Sequence, residues 1–266
     1  MKISLLLVAV LSTASIALNA QDWAKARLEK SPRHLEWVKV KQGNREVNSF
    51  IAFPEVKEKA TAVVVIHEIF GLSDWVRGVA DQLAEAGYIA IAPDLLSGAA
   101  AGGGGTAELG AGDAVRKAIA GLPPEQITAD LNAVLEHVSK LPACNGSVAV
   151  GGFCWGGAQT FRFATNSRKV KAAFVFYGTG PDLPAELARI ESPVYGFYGS
   201  NDARVNATIP VSIDLMKRAG KTYDPVTYEG AGHGFMRAGE DPAGNEANKK
   251  AREEAWKRWR DLLKKI

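Results

Sequence analysis

The sequence predicts an α/β fold, a mostly parallel sheet with helices on both faces and an antiparallel hairpin at the N-terminal side. Three observations carry this. Short runs rich in β-branched residues recur along the chain without a polar alternation, as strands buried on both faces require. Longer segments of helical period separate them, so successive strands are joined by crossovers. Ahead of the first buried run stand two strand-like segments linked by turn residues, which marks a hairpin. With 266 residues, 47% of them hydrophobic and 23% charged, the composition is globular. That excludes disordered and collagen-like chains and leaves apolar mass for one large core. A single domain over residues 21–266 is expected.

The elements follow in order. Residues 35–40 and 46–53 are the hairpin strands, with Gln42-Gly43-Asn44 between them. Residues 61–66 form the first buried strand, and 75–86 a helix that Gly87 stops. Residues 88–92 are the next strand, closed by Pro93-Asp94. A stretch of small residues, 98–112, leads through 113–120 to Pro123-Pro124 and a helix over 125–140. The glycine run at 102–105 lacks the Gly-Lys-Ser/Thr of a phosphate loop and reads as a flexible surface connection. A short strand is expected at 147–151 with a helix at 159–165 behind it. Further strands are expected at 170–177, 194–198 and 225–228, with helices at 182–190 and 208–219. Residues 245–266 close the chain as an amphipathic helix whose Trp256 and Trp259 share one side and pack into the core.

The first twenty residues read as an address rather than as structure. Met1 and Lys2 are followed by an apolar run over 3–11 and by mostly small residues over 12–20, the plan of a secretory signal. Cleavage after Ala17 fits the small-residue spacing better, whereas the polar Gln21-Asp22 favours cleavage after Ala20, the working boundary; the mature protein is expected to be exported, periplasmic or secreted. Beyond this segment no run is long and apolar enough to span a bilayer. The formal charge of +3 is scattered, with no basic run of the kind that binds nucleic acid or a membrane surface.

The chemistry concentrates on one cysteine. Gly152-Phe153-Cys154-Trp155-Gly156 stands directly after a strand and directly before a helix, the context of a nucleophile elbow with cysteine in place of serine. Only small neighbours tolerate so cramped a backbone, hence Gly152, Gly156 and Gly157. A helix N-terminus favours thiolate over thiol. A disulfide between Cys144 and Cys154 is excluded, because an extended strand at 147–151 separates them by about 16 Å. Asp202 follows the strand at 194–198 and His233 lies on a small-residue loop before the last helix. Cys154, Asp202, His233 is the chain order nucleophile, acid, histidine of α/β-hydrolases. His67-Glu68-Ile69-Phe70-Gly71 follows the first buried strand, on the loop that supplies one oxyanion amide; the residue after the nucleophile, Trp155, supplies the other. His34 and His137 read as surface residues, no metal-ligand spacing occurs, and neither a metal nor a cofactor is required.

Together these segments, with Ile91-Ala92-Pro93-Asp94-Leu95 and Gly232-His233-Gly234-Phe235, resemble the dienelactone hydrolase family from about residue 46 to the C-terminus. The resemblance implies an α/β-hydrolase fold and a hydrolase that opens a lactone or carboxylic ester through a cysteine nucleophile. It implies a triad of Cys154, Asp202 and His233, with Glu68 holding the resting thiol and helping to make it a thiolate. The amides of Ile69 and Trp155 would form the oxyanion hole, and Arg237 would bind a substrate carboxylate. At one position the chain departs: the family's best-known members carry an arginine four residues after the aspartate equivalent to Asp94, where Gly98 stands here. The expected partner is a small ester or lactone. Two other readings remain: an exported, non-catalytic ligand-binding protein that kept the fold, and a thiol redox protein, which the lack of a nearby resolving cysteine disfavours.

Overall fold

In the computed structural model, which describes residues 22–266, the elements in chain order are α1 (Asp22–Glu29), β1 (Leu35–Gln42), β2 (Arg45–Ala52), β3 (Ala60–Ile66), α2 (Asp74–Glu85), β4 (Ile89–Pro93), α3 (Thr106–Leu109), α4 (Asp113–Ala120), α5 (Pro124–Ser139) and β5 (Cys144–Phe153). Then come α6 (Trp155–Asn166), β6 (Ala173–Phe176), α7 (Pro184–Leu187), β7 (Val194–Asn201), α8 (Ala203–Asn206), α9 (Ile209–Arg218), β8 (Tyr223–Gly232), α10 (Phe235–Ala238) and α11 (Glu246–Leu263). The expected export signal lies outside the described residues.

The strands form one eight-stranded sheet in the order β1-β2-β4-β3-β5-β6-β7-β8. β1 pairs antiparallel with β2, and β2 antiparallel with β4; from β4 onward every pairing is parallel. This is the fold class the sequence predicts. All seven residues of β3 are buried. Its Val63 and Val65 face a cluster built with Trp75, Val79 and Leu83 of α2 and Trp259 of α11. Its Ala62, Val64 and Ile66 face the opposite cluster with Leu131, Val134 and Val138 of α5. Trp259 is fully buried and meets Phe176 edge-on at 4.8 Å, so truncating it to alanine costs about 3–5 kcal/mol. Trp256 packs on it edge-on at 5.3 Å.

Several elements differ from their sequence reading, each for a physical reason. Helix α1 carries no strong apolar period, yet Trp23 and Leu28 pack on the first cluster; tertiary contact forms a helix that its own sequence marks weakly. β8 runs on both sides of residues 225–228, because its pairing with β7 continues from Tyr223 to Gly232. The glycine run is exposed at Gly102 and Gly103 and packed at its end. Gly105 lies against Asp94, where a Cβ would stand 2.3 Å from Oδ2, and Asp94 accepts from Thr106 N–H and Thr106 Oγ1, each at 2.7 Å. His34 is exposed beside Glu36, as read, whereas His137 is half-buried.

Candidate active site

Four strand ends assemble the site. β3 and β5 are neighbours with Ile66 opposite Gly152, so the loop starting at His67 and the turn at Cys154 emerge side by side. β7 and β8 are neighbours with Asn201 opposite Gly232, so Asp202 and His233, the next residues of each chain segment, do the same. Ligand sites of parallel sheets collect at these carboxyl ends.

Cys154 sits between β5 and α6 with φ 56° and ψ −116°, a strained backbone for a residue with a Cβ. The turn is held on both sides: Cys154 N–H donates to Phe176 O at 3.0 Å, and Cys154 O accepts from Ala158 N–H at 3.1 Å. Gly156 lets the turn approach the neighbouring loop, since a Cβ there would stand 2.3 Å from His67 O. Both cysteines are free thiols, Cys144 buried and Cys154 half-buried.

His233 bridges the other two residues. Its Nδ1 lies 2.5 Å from Asp202 Oδ2 and its Nε2 lies 3.1 Å from the Cys154 sulfur. Hydrogen-bond chemistry assigns the proton to Nδ1, which donates to the carboxylate, and leaves Nε2 to accept from the thiol. Asp202 does two things at once, because its Oδ1 also accepts from Val205 N–H at 3.4 Å and caps α8. The structure therefore brings Cys154, Asp202 and His233 together.

Glu68 is buried and does not hydrogen-bond the sulfur in this conformation. Its Oε2 accepts from Arg237 Nε at 2.9 Å and its Oε1 from the Tyr177 hydroxyl at 3.4 Å. Arg237 also lies over the Phe70 ring, 5.2 Å from its centroid. Burial pushes the Glu68 carboxyl above its usual range, against the opposing pull of Arg237.

The backbone N–H groups of Trp155 and Ile69 both reach the Cys154 sulfur and favour its anion, as does the more distant Arg204 guanidinium. Burial, and after it the Glu68 carboxylate, outweigh them and push the thiol up. The sequence expects the helix N-terminus to favour thiolate and, by the resemblance, Glu68 to help; the amides are there, but burial outweighs them and Glu68 acts against the thiolate. The resting group is held as a thiol.

Tyr177 and Arg204 were not singled out by the sequence. Tyr177 carries φ 40° at the end of β6, packs edge-on against His233 at 5.1 Å and holds Glu68. Its place at a strand's carboxyl end was the available signal. Arg204 had none beyond lying two residues after Asp202. Among the described residues no group of three or more His, Cys, Asp or Glu is placed to hold a metal ion, and no helix is long and apolar enough to cross a membrane.

A mostly parallel sheet with a strained cysteine between strand and helix, and an acid and a histidine on later strand ends, is the arrangement of an α/β-hydrolase fold. More narrowly, the chain belongs to the dienelactone hydrolase family, whose match spans residues 47–266. It is similar to proteins named "Putative carboxymethylenebutenolidase". The one from Methylorubrum extorquens is 30% identical over 209 residues, 74% of this chain and 71% of the relative. The one from Salmonella typhimurium is 30% identical over 228 residues, 80% of each. In fold it is similar to a crystal structure described as a "Putative Dienelactone Hydrolase" from Klebsiella pneumoniae, with TM-score 0.76, 24% identity and coverage of 88% of this chain and 99% of that one. A dienelactone hydrolase-like promiscuous phosphotriesterase from metagenomic libraries gives TM-score 0.73, 22% identity and coverage of 88% and 98%. Membership makes the protein a lactone or ester hydrolase.

Proposed function

We propose that this hydrolase opens its lactone or carboxylic ester by covalent catalysis at Cys154, and that it acts outside the cytoplasm after loss of residues 1–20. The observation that carries the cysteine mechanism is the continuous contact from Asp202 through His233 to the Cys154 sulfur, at 2.5 Å and 3.1 Å.

In the proposed reaction, His233 Nε2 takes the Cys154 proton as the sulfur forms a bond to the acyl carbon. Negative charge builds on the former carbonyl oxygen, and the Ile69 and Trp155 amides, fixed before substrate arrives, stabilise it there. The carbon–oxygen bond to the alcohol breaks as imidazolium returns the proton to the leaving oxygen. His233 then deprotonates water, which attacks the thioester; the acid leaves and sulfur regains the proton. Asp202 holds the tautomer and offsets the imidazolium charge. Arg237 gives Nε to Glu68, and its terminal amines are assigned to a substrate carboxylate. Every bond formed or broken is accounted for by ester, water and these residues.

The test is turnover of a chromogenic short-chain ester by the parent and by Cys154→Ala. Release of alcohol by the parent and none above background by the variant supports the mechanism. Equal background signals from both would instead favour a non-catalytic binding protein on a hydrolase fold. Sequencing the N-terminus of protein recovered from the periplasm or medium tests export.

A further inference from the structure

His67 precedes the oxyanion loop, is fully buried, and takes no part in the mechanism above. Its Nδ1 lies 2.8 Å from the backbone carbonyl of Glu68. An amide carbonyl only accepts, so Nδ1 carries the proton and donates. That carbonyl belongs to the same planar peptide unit as the N–H of Ile69, one of the two amides that reach the sulfur. Holding the oxygen at one end of the plane aims the hydrogen at the other end. The bond also polarises the peptide and strengthens its N–H as a donor. The other face of the problem is Trp155, whose amide is the second donor: its ring stacks on His67, with centroids 5.4 Å apart and planes 16° from parallel. One imidazole thus touches the units that bear both donors. The Glu68 carbonyl has a second partner, Gly71 N–H at 3.2 Å, so the turn survives loss of His67 but with one restraint instead of two.

We propose that His67 is a positioning residue for the oxyanion hole, locking the Glu68–Ile69 peptide and seating Trp155 through a single buried ring. The inference rests on the ester-hydrolase reading. His67→Phe keeps the ring and loses the donor; His67→Asn keeps a donor close to Nδ1 and loses the ring; His67→Leu has the branched outline of asparagine and neither. Deleting an oxyanion donor outright costs about 10²–10³ in kcat, and loosening one that keeps its second restraint should cost about tenfold.

The experiment measures kcat, KM and thermal midpoint of the full chain and the three variants with p-nitrophenyl butyrate. Phe and Leu are expected to lose kcat about tenfold with KM within about twofold, while Asn recovers most of kcat despite a lower midpoint than Phe. Activity would then follow the donor and stability the ring, which a merely structural histidine does not produce. Parent-like kcat in Phe, or kcat falling in step with the midpoint across the variants, overturns the proposal. Should His67→Phe not fold, Asn against Leu decides, and equal kcat overturns it. A parent without esterase activity overturns the hydrolase reading and this proposal with it; an active parent with equal variants overturns this proposal alone.

Discussion

The Cys154 sulfur and His233 Nε2 are 3.1 Å apart although 79 positions separate the residues in the chain. That closeness is produced by the sheet. β5 and β8 are not neighbours, yet both end at the carboxyl side of the parallel sheet, where the strained turn after β5 and the loop after β8 bring the sulfur and the imidazole together. What opposes ionisation is equally local, since burial and then Glu68 hold the proton on sulfur.

Alkylation by iodoacetamide reads the thiolate directly. Its rate is expected to rise with pH through a midpoint above the ordinary thiol value of 9.0, because the folded site raises that value. Glu68→Gln removes the largest charge acting against the thiolate and frees Arg237 from its pair. Both changes favour the anion, so the midpoint is expected to fall. An unchanged or higher midpoint would show that Glu68 does not control this sulfur.

Gly156→Ala sets two effects against each other. Alanine within helix α6 gains up to about 1 kcal/mol in intrinsic propensity. Against this, its Cβ would stand 2.3 Å from His67 O and 2.5 Å from Ile66 O, and backbone carbonyls cannot swing aside. Overpacking is expected to win, with a net loss of about 1–3 kcal/mol in denaturant unfolding. Because the displaced carbonyl belongs to the oxyanion loop, kcat should drop as well. A variant as stable and active as the parent would mean that the elbow and the loop are not so tightly joined.

Asp81 on α2 is fully buried, and Arg33 binds it from the segment before β1 through Nε at 2.7 Å and Nη2 at 2.8 Å. Ser31 Oγ donates to the same carboxylate at 2.6 Å. Arg33→Ala leaves a buried carboxylate without its counter-charge, and is expected to cost about 3 kcal/mol. A loss under about 0.5 kcal/mol at pH 7 would mean that the pair is no stronger than a surface ion pair.

The parts of the fold legible in the sequence were those with a strong local signal. β3 is a run of apolar, mostly β-branched residues, and it is buried at every position. The Gly-rich frame of Cys154 announced the turn, and the chain order announced Asp202 and His233 as candidates. What could not be read was whatever depends on a distant partner. Helix α1 exists through contacts of Trp23 and Leu28. Glu68 turns to Arg237, 169 positions away, although the family resemblance implied a partner in sulfur. The direction of the Cys154 shift depends on burial, which no motif records. Asp94 looked like the end of a strand, yet its two oxygens organise Thr106 and, through Thr106 Oγ1, the N–H of Leu72 at 3.1 Å.

Trapping the acyl-enzyme tests the cysteine mechanism most directly. The parent is mixed with excess p-nitrophenyl butyrate, quenched in acid within the first turnovers, digested, and weighed by mass spectrometry. A butyryl thioester on the peptide that contains Cys154, absent from Cys154→Ala and reduced in His233→Ala, which lacks the base that ionises the thiol, is the expected result. Steady turnover with that peptide unmodified, or turnover that persists in Cys154→Ala, would place the nucleophile elsewhere.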